Sequence, residues 1–171
     1  ATAVLAATAL VQQRLFFGIA TGGTGGTCSP LGGMLAQLIS NKAVVDGKKI
    51  SATAEAAGAS VGNAKLLGNK EVESAFVAAD ILDAAYNGTS QFAGAPLKNL
   101  RALGALYPET VQLITRADFN INSVRDLKGK SISSGAPGSG QYQLLTDLLK
   151  VHGMTRADIK EDLSSFTQAA D

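Results

Sequence analysis

The stretch Leu15-Phe16-Phe17-Gly18-Ile19-Ala20-Thr21, followed at once by Gly22-Gly23-Thr24-Gly25-Gly26-Thr27-Cys28-Ser29-Pro30, decides the fold. An apolar run of strand length gives way to a glycine loop, and Leu31, Met34, Leu35, Leu38 and Ile39 then recur at helical spacing. Ser29 is placed to cap that helix, with Pro30 at its first position. Strand, glycine- or serine-containing loop and capped helix form the repeating unit of an α/β protein.

The same unit recurs four times down the chain. Ile50 to Ala56 reads as a strand, with Ser60 placed to cap a helix whose apolar face includes Val61, Ala64 and Leu67. Ala75-Phe76-Val77-Ala78 leads to Asp80, a further capping residue, before Ile81, Leu82, Ala85 and Tyr86; Asn87-Gly88 ends that helix. Two strand-like stretches follow without a helix between them, Leu100 to Leu106 and Val111 to Thr115, and an inter-lobe crossing belongs there. Asp126-Leu127-Lys128-Gly129-Lys130 turns into a strand at Ser131 to Ser134. Gly135-Ala136-Pro137-Gly138-Ser139-Gly140 then opens a helix carrying Leu144, Leu145, Leu148 and Leu149, closed by Gly153. A last strand-like piece lies around Asp162 to Ser165, before a helix start at Thr167.

Composition sets the limits. With 46% hydrophobic and 17% charged residues over 171 positions, the chain can bury a core. Fifteen Lys and Arg against fourteen Asp and Glu leave +1, with no block of either sign, so nucleic acid is not an expected partner. The single Cys28 leaves no internal disulfide and no cysteine-based metal site. Ala1 to Leu10, small and apolar and ending in Ala7-Thr8-Ala9, read as the tail of a secretory signal or as a frayed N-terminal helix. That stretch is too short to span a bilayer.

Function rests on what the loops share. In an open α/β sheet the strand-to-helix loops gather on one edge, where helix starts present unpaired N–H groups and a partial positive charge of about half a unit. Such an edge suits anions. Thr21 to Thr27 and Gly135 to Gly140 lack side chains that would keep a ligand from the backbone, and their hydroxyls add donors. Tight turns alone are the alternative use of these glycines.

Nucleotide readings fail on spacing. After Gly23-Thr24-Gly25 the third glycine of a dinucleotide fingerprint is Cys28, and after Gly138-Ser139-Gly140 it is Gln143. Gly129-Lys130-Ser131 resembles the end of a P-loop, but Val124 stands where its first glycine belongs. Catalytic candidates are as sparse. His152, the only histidine, lies at a helix C-terminus before Gly153. Cys28 occupies the setting of a reactive thiol but reads better as a polarizable lining residue, because His152 is remote. Asp80 and Glu109 are read as a helix cap and a hinge hydrogen-bonder, with paired carboxylates as the alternative.

The residues also carry a likeness. Phe17 to Thr27 with Pro30-Leu31-Gly32-Gly33 resembles the opening of the solute receptors of TRAP transporters of the TAXI type. Gly58-Ala59-Ser60 with Asn63, Asp80 with Ala85-Tyr86-Asn87-Gly88, Leu106-Tyr107-Pro108-Glu109-Thr110, Val124 to Lys130 and Gly135 to Gly140 extend it in matching order. The resemblance implies a type II periplasmic-binding-protein fold: two α/β lobes joined by crossover strands, the first over 15–108 and part of a second over 109–171. Residues 1–14 would be a signal remnant or a disordered start.

Carried over, the ligand-facing positions are Thr24, Gly25, Gly26, Thr27 and Ser60, with Asp80 nearby. Tyr107 and Glu109 would sit at the crossing, and Gly138, Ser139 and Gly140 would bind from the second lobe. Arg116 is a salt-bridging partner for the ligand or else a solvated strand end. Cys28-Ser29 stands where such receptors carry one or two tyrosines, and Ala78-Ala79 where a glutamine precedes the aspartate. The implied protein is extracytoplasmic, exported through a signal peptide, and needs no cofactor. It captures a small organic anion or an amino acid such as glutamate and hands it to TRAP membrane subunits. An enzyme on the same bilobal fold and a ligand-free sensor module are the other readings. The family's chains run beyond this end point, so a second lobe incomplete here, with a poorly cooperative melt over 109–171, is expected.

Overall fold

A computed structural model describes residues 14–164 and 168–169. The expectations for Ala1 to Leu10 and for a helix start at Thr167 lie outside them. Leu15–Thr21 forms β1 and Lys48–Ala56 forms β3, paired in parallel from Leu15 opposite Ile50 to Thr21 opposite Ala56. Between them run helix α1, Cys28–Lys42, and the two-residue strand β2, Val44–Val45, which turns back onto β3. Asp46 and Gly47, both at positive φ, make that two-residue turn, the conformation that matches the twist of a hairpin. Helix α2 spans Ala59–Gly68, β4 is Ser74–Ala75, and α3 spans Ala79–Asn87. The sheet order is β2-β3-β1-β4, with β4 parallel to β1 at Ile19 and Ala20. Flanked on both sides, the end of β1 is buried, and this is why it reads as a near-continuous apolar run.

A second, two-stranded parallel sheet joins β5, Ser131–Ser133, to β6, Lys160–Asp162. Helix α4, Gly140–Val151, connects them. Two separate apolar clusters result. Val61, Ala64, Ile81, Ala84, Ala85, Phe92 and Leu100 form the first, while Leu127, Leu145, Leu149, Met154 and Ile159 form the second.

Several expectations are corrected. Helix α1 begins at Cys28 after Thr27, so Ser29 and Pro30 lie inside it. It packs through Gly32, Ala36 and Ser40, and leaves Met34, Leu35 and Leu38 exposed. Small residues at four-residue spacing let the helix lie close on the sheet. A Cβ on Gly32 would stand 2.4 Å from Cγ2 of Thr21. Ser60 and Asp80 are not caps either: α2 is preceded by Gly58 and α3 by Ala78, and each predicted cap falls in the first turn. The last strand ends at Asp162 instead of starting there.

The largest difference is the stretch 100–115, which forms no strand. Its apolar, β-branched composition suits a ladder, but a strand exists only against a partner. No such partner stands beside it among the described residues, and Leu103 and Ile114 are 91% and 88% exposed.

Candidate functional site

Three helices start from one edge of the larger sheet. Helices α1, α2 and α3 follow the C-terminal ends of β1, β3 and β4, which are parallel neighbours, so their first turns lie side by side. One side chain pins that edge. Asn63 of α2 is fully buried, and its Nδ2 donates to the carbonyls of Phe76 at 2.8 Å, Thr21 at 3.2 Å and Ala20 at 3.4 Å. It thereby ties α2 to the ends of β1 and β4 beneath the first glycine loop.

That loop turns at Gly23, whose carbonyl accepts from Gly26 N at 3.0 Å. Thr24, Gly25 and Thr27 are exposed and Gly26 is half-buried. Thr27 precedes α1 without a side-chain cap, which leaves the amides of Cys28 and Ser29 without an intrahelical acceptor. The Ser60 hydroxyl accepts from the amide of Ala78 at 3.1 Å and so joins the starts of α2 and α3. Asp80 is exposed in the first turn of α3, where a carboxylate is favoured by the helix dipole.

The second glycine loop reaches the same edge. Gly138, at φ +83°, gives its carbonyl to the amide of Val61 in α2 at 3.0 Å. A Cβ on Gly140 would lie 3.4 Å from both the Ala78 Cβ and the Ser60 Oγ. Ser139 caps α4 by accepting from Tyr142 N at 3.1 Å. The start of α4 is therefore seated on the starts of α2 and α3, and this is the direct contact of the second glycine loop.

Tyr107 arrives from the extended stretch. Its hydroxyl lies 3.1 Å from the sulfur of Cys28 at the start of α1. Burial raises the phenol above its usual value, and the Cys28 thiol and the Glu109 carboxylate push it in the same direction. Glu109 itself is exposed. Arg116 stands apart: 73% exposed, it is paired with Asp118 through two hydrogen bonds of 3.0 and 2.6 Å, and it lies over the ring of Phe119. The structure thus brings Ser60, Gly138, Ser139 and Gly140 together, sets Tyr107 against the start of α1, and commits Arg116 to its own neighbours.

Two participants escaped the sequence reading. Asn63 carries no sequence signal beyond its place in the family likeness, and Arg156 carries none. No spacing marks either, because their partners are backbone carbonyls and residues distant along the chain.

The arrangement of sheets and helices is that of a periplasmic-binding-protein-like fold. It is similar to the alkanesulfonate-binding protein SsuA from Xanthomonas axonopodis pv. citri bound to MOPS, with a TM-score of 0.52 at 18% sequence identity. The match covers 92% of this chain and 49% of that one, so the chain spans about half the length of that protein. The chain belongs to the NMT1-like family, whose family model matches residues 19–171. Among the described residues no helix is long and apolar enough to cross a membrane.

Proposed function

We propose that this chain is the ligand-capturing part of an extracytoplasmic solute receptor, holding a small carboxylate or an amino acid such as glutamate between a lobe over 15–108 and a second over 109–171. The observation that carries the reading is the seating of α4 on α2, with Val61 N 3.0 Å from Gly138 O. Helix starts from two different sheets then share one edge, and their remaining first-turn amides need acceptors. A carboxylate supplies them with charge-assisted hydrogen bonds. Asp80 offers a counter-charge to a ligand ammonium group, which favours an amino acid. MOPS, bound to SsuA, is likewise an anion, so sulfonates are the next class to compare.

Delivery to membrane subunits of a TRAP-type transporter, after export through a signal peptide, follows from the likeness of the two glycine loops to that receptor class. The chain acts as a carrier and not as a catalyst in this reading. His152 is held by Leu148 O at the far end of α4, away from the shared edge. Thermal shift and calorimetry with L-glutamate, succinate and MOPS test it. One of them should raise the melting point saturably, by about 2.7 kcal/mol of stabilisation at a hundredfold excess over Kd, and be recovered unchanged. Failure of every amino acid, dicarboxylate and sulfonate to shift the melt, or turnover of the bound compound, would sink it.

A further inference from the structure

A loop built on Gly135, Gly138 and Gly140 does not fix its own shape, because each glycine leaves the backbone free to adopt several conformations. The shape has to be imposed at the two roots of the loop. Both roots lead to Arg156. This residue opens a short 3-10 turn, Arg156–Asp158, after α4, and its side chain is only 19% exposed. A guanidinium so far removed from water has to be paired. Its Nε donates to Thr146 Oγ1 at 2.8 Å, one terminal nitrogen donates to the carbonyl of Tyr142, and the other is paired with Glu161. The plane lies 3.5 Å from the centroid of the Tyr142 ring. Tyr142 is the third residue of α4, and its amide is capped by Ser139. On the other side, Glu161 accepts from the hydroxyl of buried Ser134 at 2.6 Å, immediately before Gly135.

We infer that Arg156 is a positioning residue that grips the second glycine loop at Ser134 and Tyr142, so that Gly138 meets Val61 and α4 seats on α2. Its hydrogen bonds and ion pair run to Thr146, Tyr142 and Glu161, and it acts on the loop through them. The inference rests on the receptor reading only for its consequence, the dimensions of the ligand site.

Amide hydrogen exchange of the ligand-free protein separates this role from mere support of the second apolar cluster. Val61 is the third residue of α2 and has no acceptor within its own helix, so its protection reports the contact with Gly138. In Arg156→Lys and Arg156→Gln, Val61 should exchange about tenfold faster while Leu149 keeps its wild-type protection. Unchanged Val61 protection overturns the inference. So does opening of Leu149 in step with Val61, or full rescue by lysine, which supplies the charge without the fork. Should Arg156→Gln fail to fold, Arg156→Lys and Glu161→Gln carry the same measurement. Calorimetry with L-glutamate is the second arm, with affinity expected to fall about tenfold in Arg156→Lys. If the wild type ignores L-glutamate while Val61 responds as described, the ligand assignment falls and the positioning role stands.

Discussion

The Tyr107 hydroxyl rests 3.1 Å from the Cys28 sulfur, across 79 residues of sequence. This contact fastens the extended stretch to the start of α1 and gives the phenol an environment that disfavours its anion. Burial is the largest cause, followed by the neighbouring thiol and Glu109.

An alkaline titration checks it. The folded phenol has its pKa above the ordinary 10.0, so the folded state prefers the proton. Its contribution to stability is complete below 10.0 and is lost as pH climbs from there through the folded value. The difference in ultraviolet absorbance between wild type and Tyr107→Phe should therefore show a phenol ionising above 10.0. Ionisation at or below that value would mean the contact does not form.

Gly32 carries a steric prediction. A methyl there meets Thr21 Cγ2 at 2.4 Å, and Thr21 cannot swing aside because its hydroxyl donates to Glu55 O at 3.0 Å. Gly32→Ala should cost about 1–3 kcal/mol in urea denaturation. Adding Thr21→Ser, which removes the offending methyl but keeps the hydroxyl, should recover part of that loss. Additive costs in the double variant would show that the two atoms do not collide.

Asn63 offers a test of the shared edge. Replacing it by leucine leaves the Phe76 carbonyl without its 2.8 Å donor, while Ala20 O and Thr21 O keep the amides of Phe76 and Ala57, at a cost of about 1–3 kcal/mol. Asn63→Asp should be worse, since a carboxylate among carbonyl oxygens has to be protonated or repelled. A denaturation midpoint for Asn63→Asp equal to that of wild type contradicts this.

Two matching capping boxes set the acid limb. Asp126 accepts from the amides of Asn122 and Ser123 and from the Ser123 hydroxyl, while Asp158 accepts from the amide and hydroxyl of Thr155 and faces Lys128. Hydrogen bonds to backbone and hydroxyl lower both carboxyls below 3.8. Their contribution is present above 3.8 and is lost as pH falls through the lowered values. The variant Asp126→Ala/Asp158→Ala should melt below wild type at pH 7, with the gap closing in acid. A gap independent of pH would remove the carboxylates as its cause.

Where strands met glycine loops, the sequence was readable, because apolar runs and turn residues act locally: β1, β3, α2, α3 and α4 all stand near their expected places. The starts of α1, α2 and α3 each lie two residues before the expected place, since Ser29, Ser60 and Asp80 look like caps while the backbone turns before them. The packing face of α1 was missed for a physical reason. Hydrophobicity points to Met34 and Leu38, but closeness to the sheet is decided by Gly32 and Ala36, which carry almost no hydropathy signal. At 100–115 composition promised strands and the ladder is missing. Of the candidate site, the two glycine loops stand between the elements that the sequence places around them, whereas Arg156 looks like any surface cation until the fold brings Tyr142, Thr146 and Glu161 around it.

Residues 101–115 also act as a tether. They join two units that each keep an apolar cluster of their own, and a stretch of this length reaches at most about 50 Å. Re-approach of the units is then intramolecular, at an effective concentration in about the millimolar range for a short link. A bond as modest as Val61 to Gly138, about 1 kcal/mol net, counts for far more at that concentration than it would between free molecules. Tyr107, resting on Cys28, shortens the span further. Lengthening or stiffening this one segment would accordingly retune how often Gly138 meets Val61 without altering either residue.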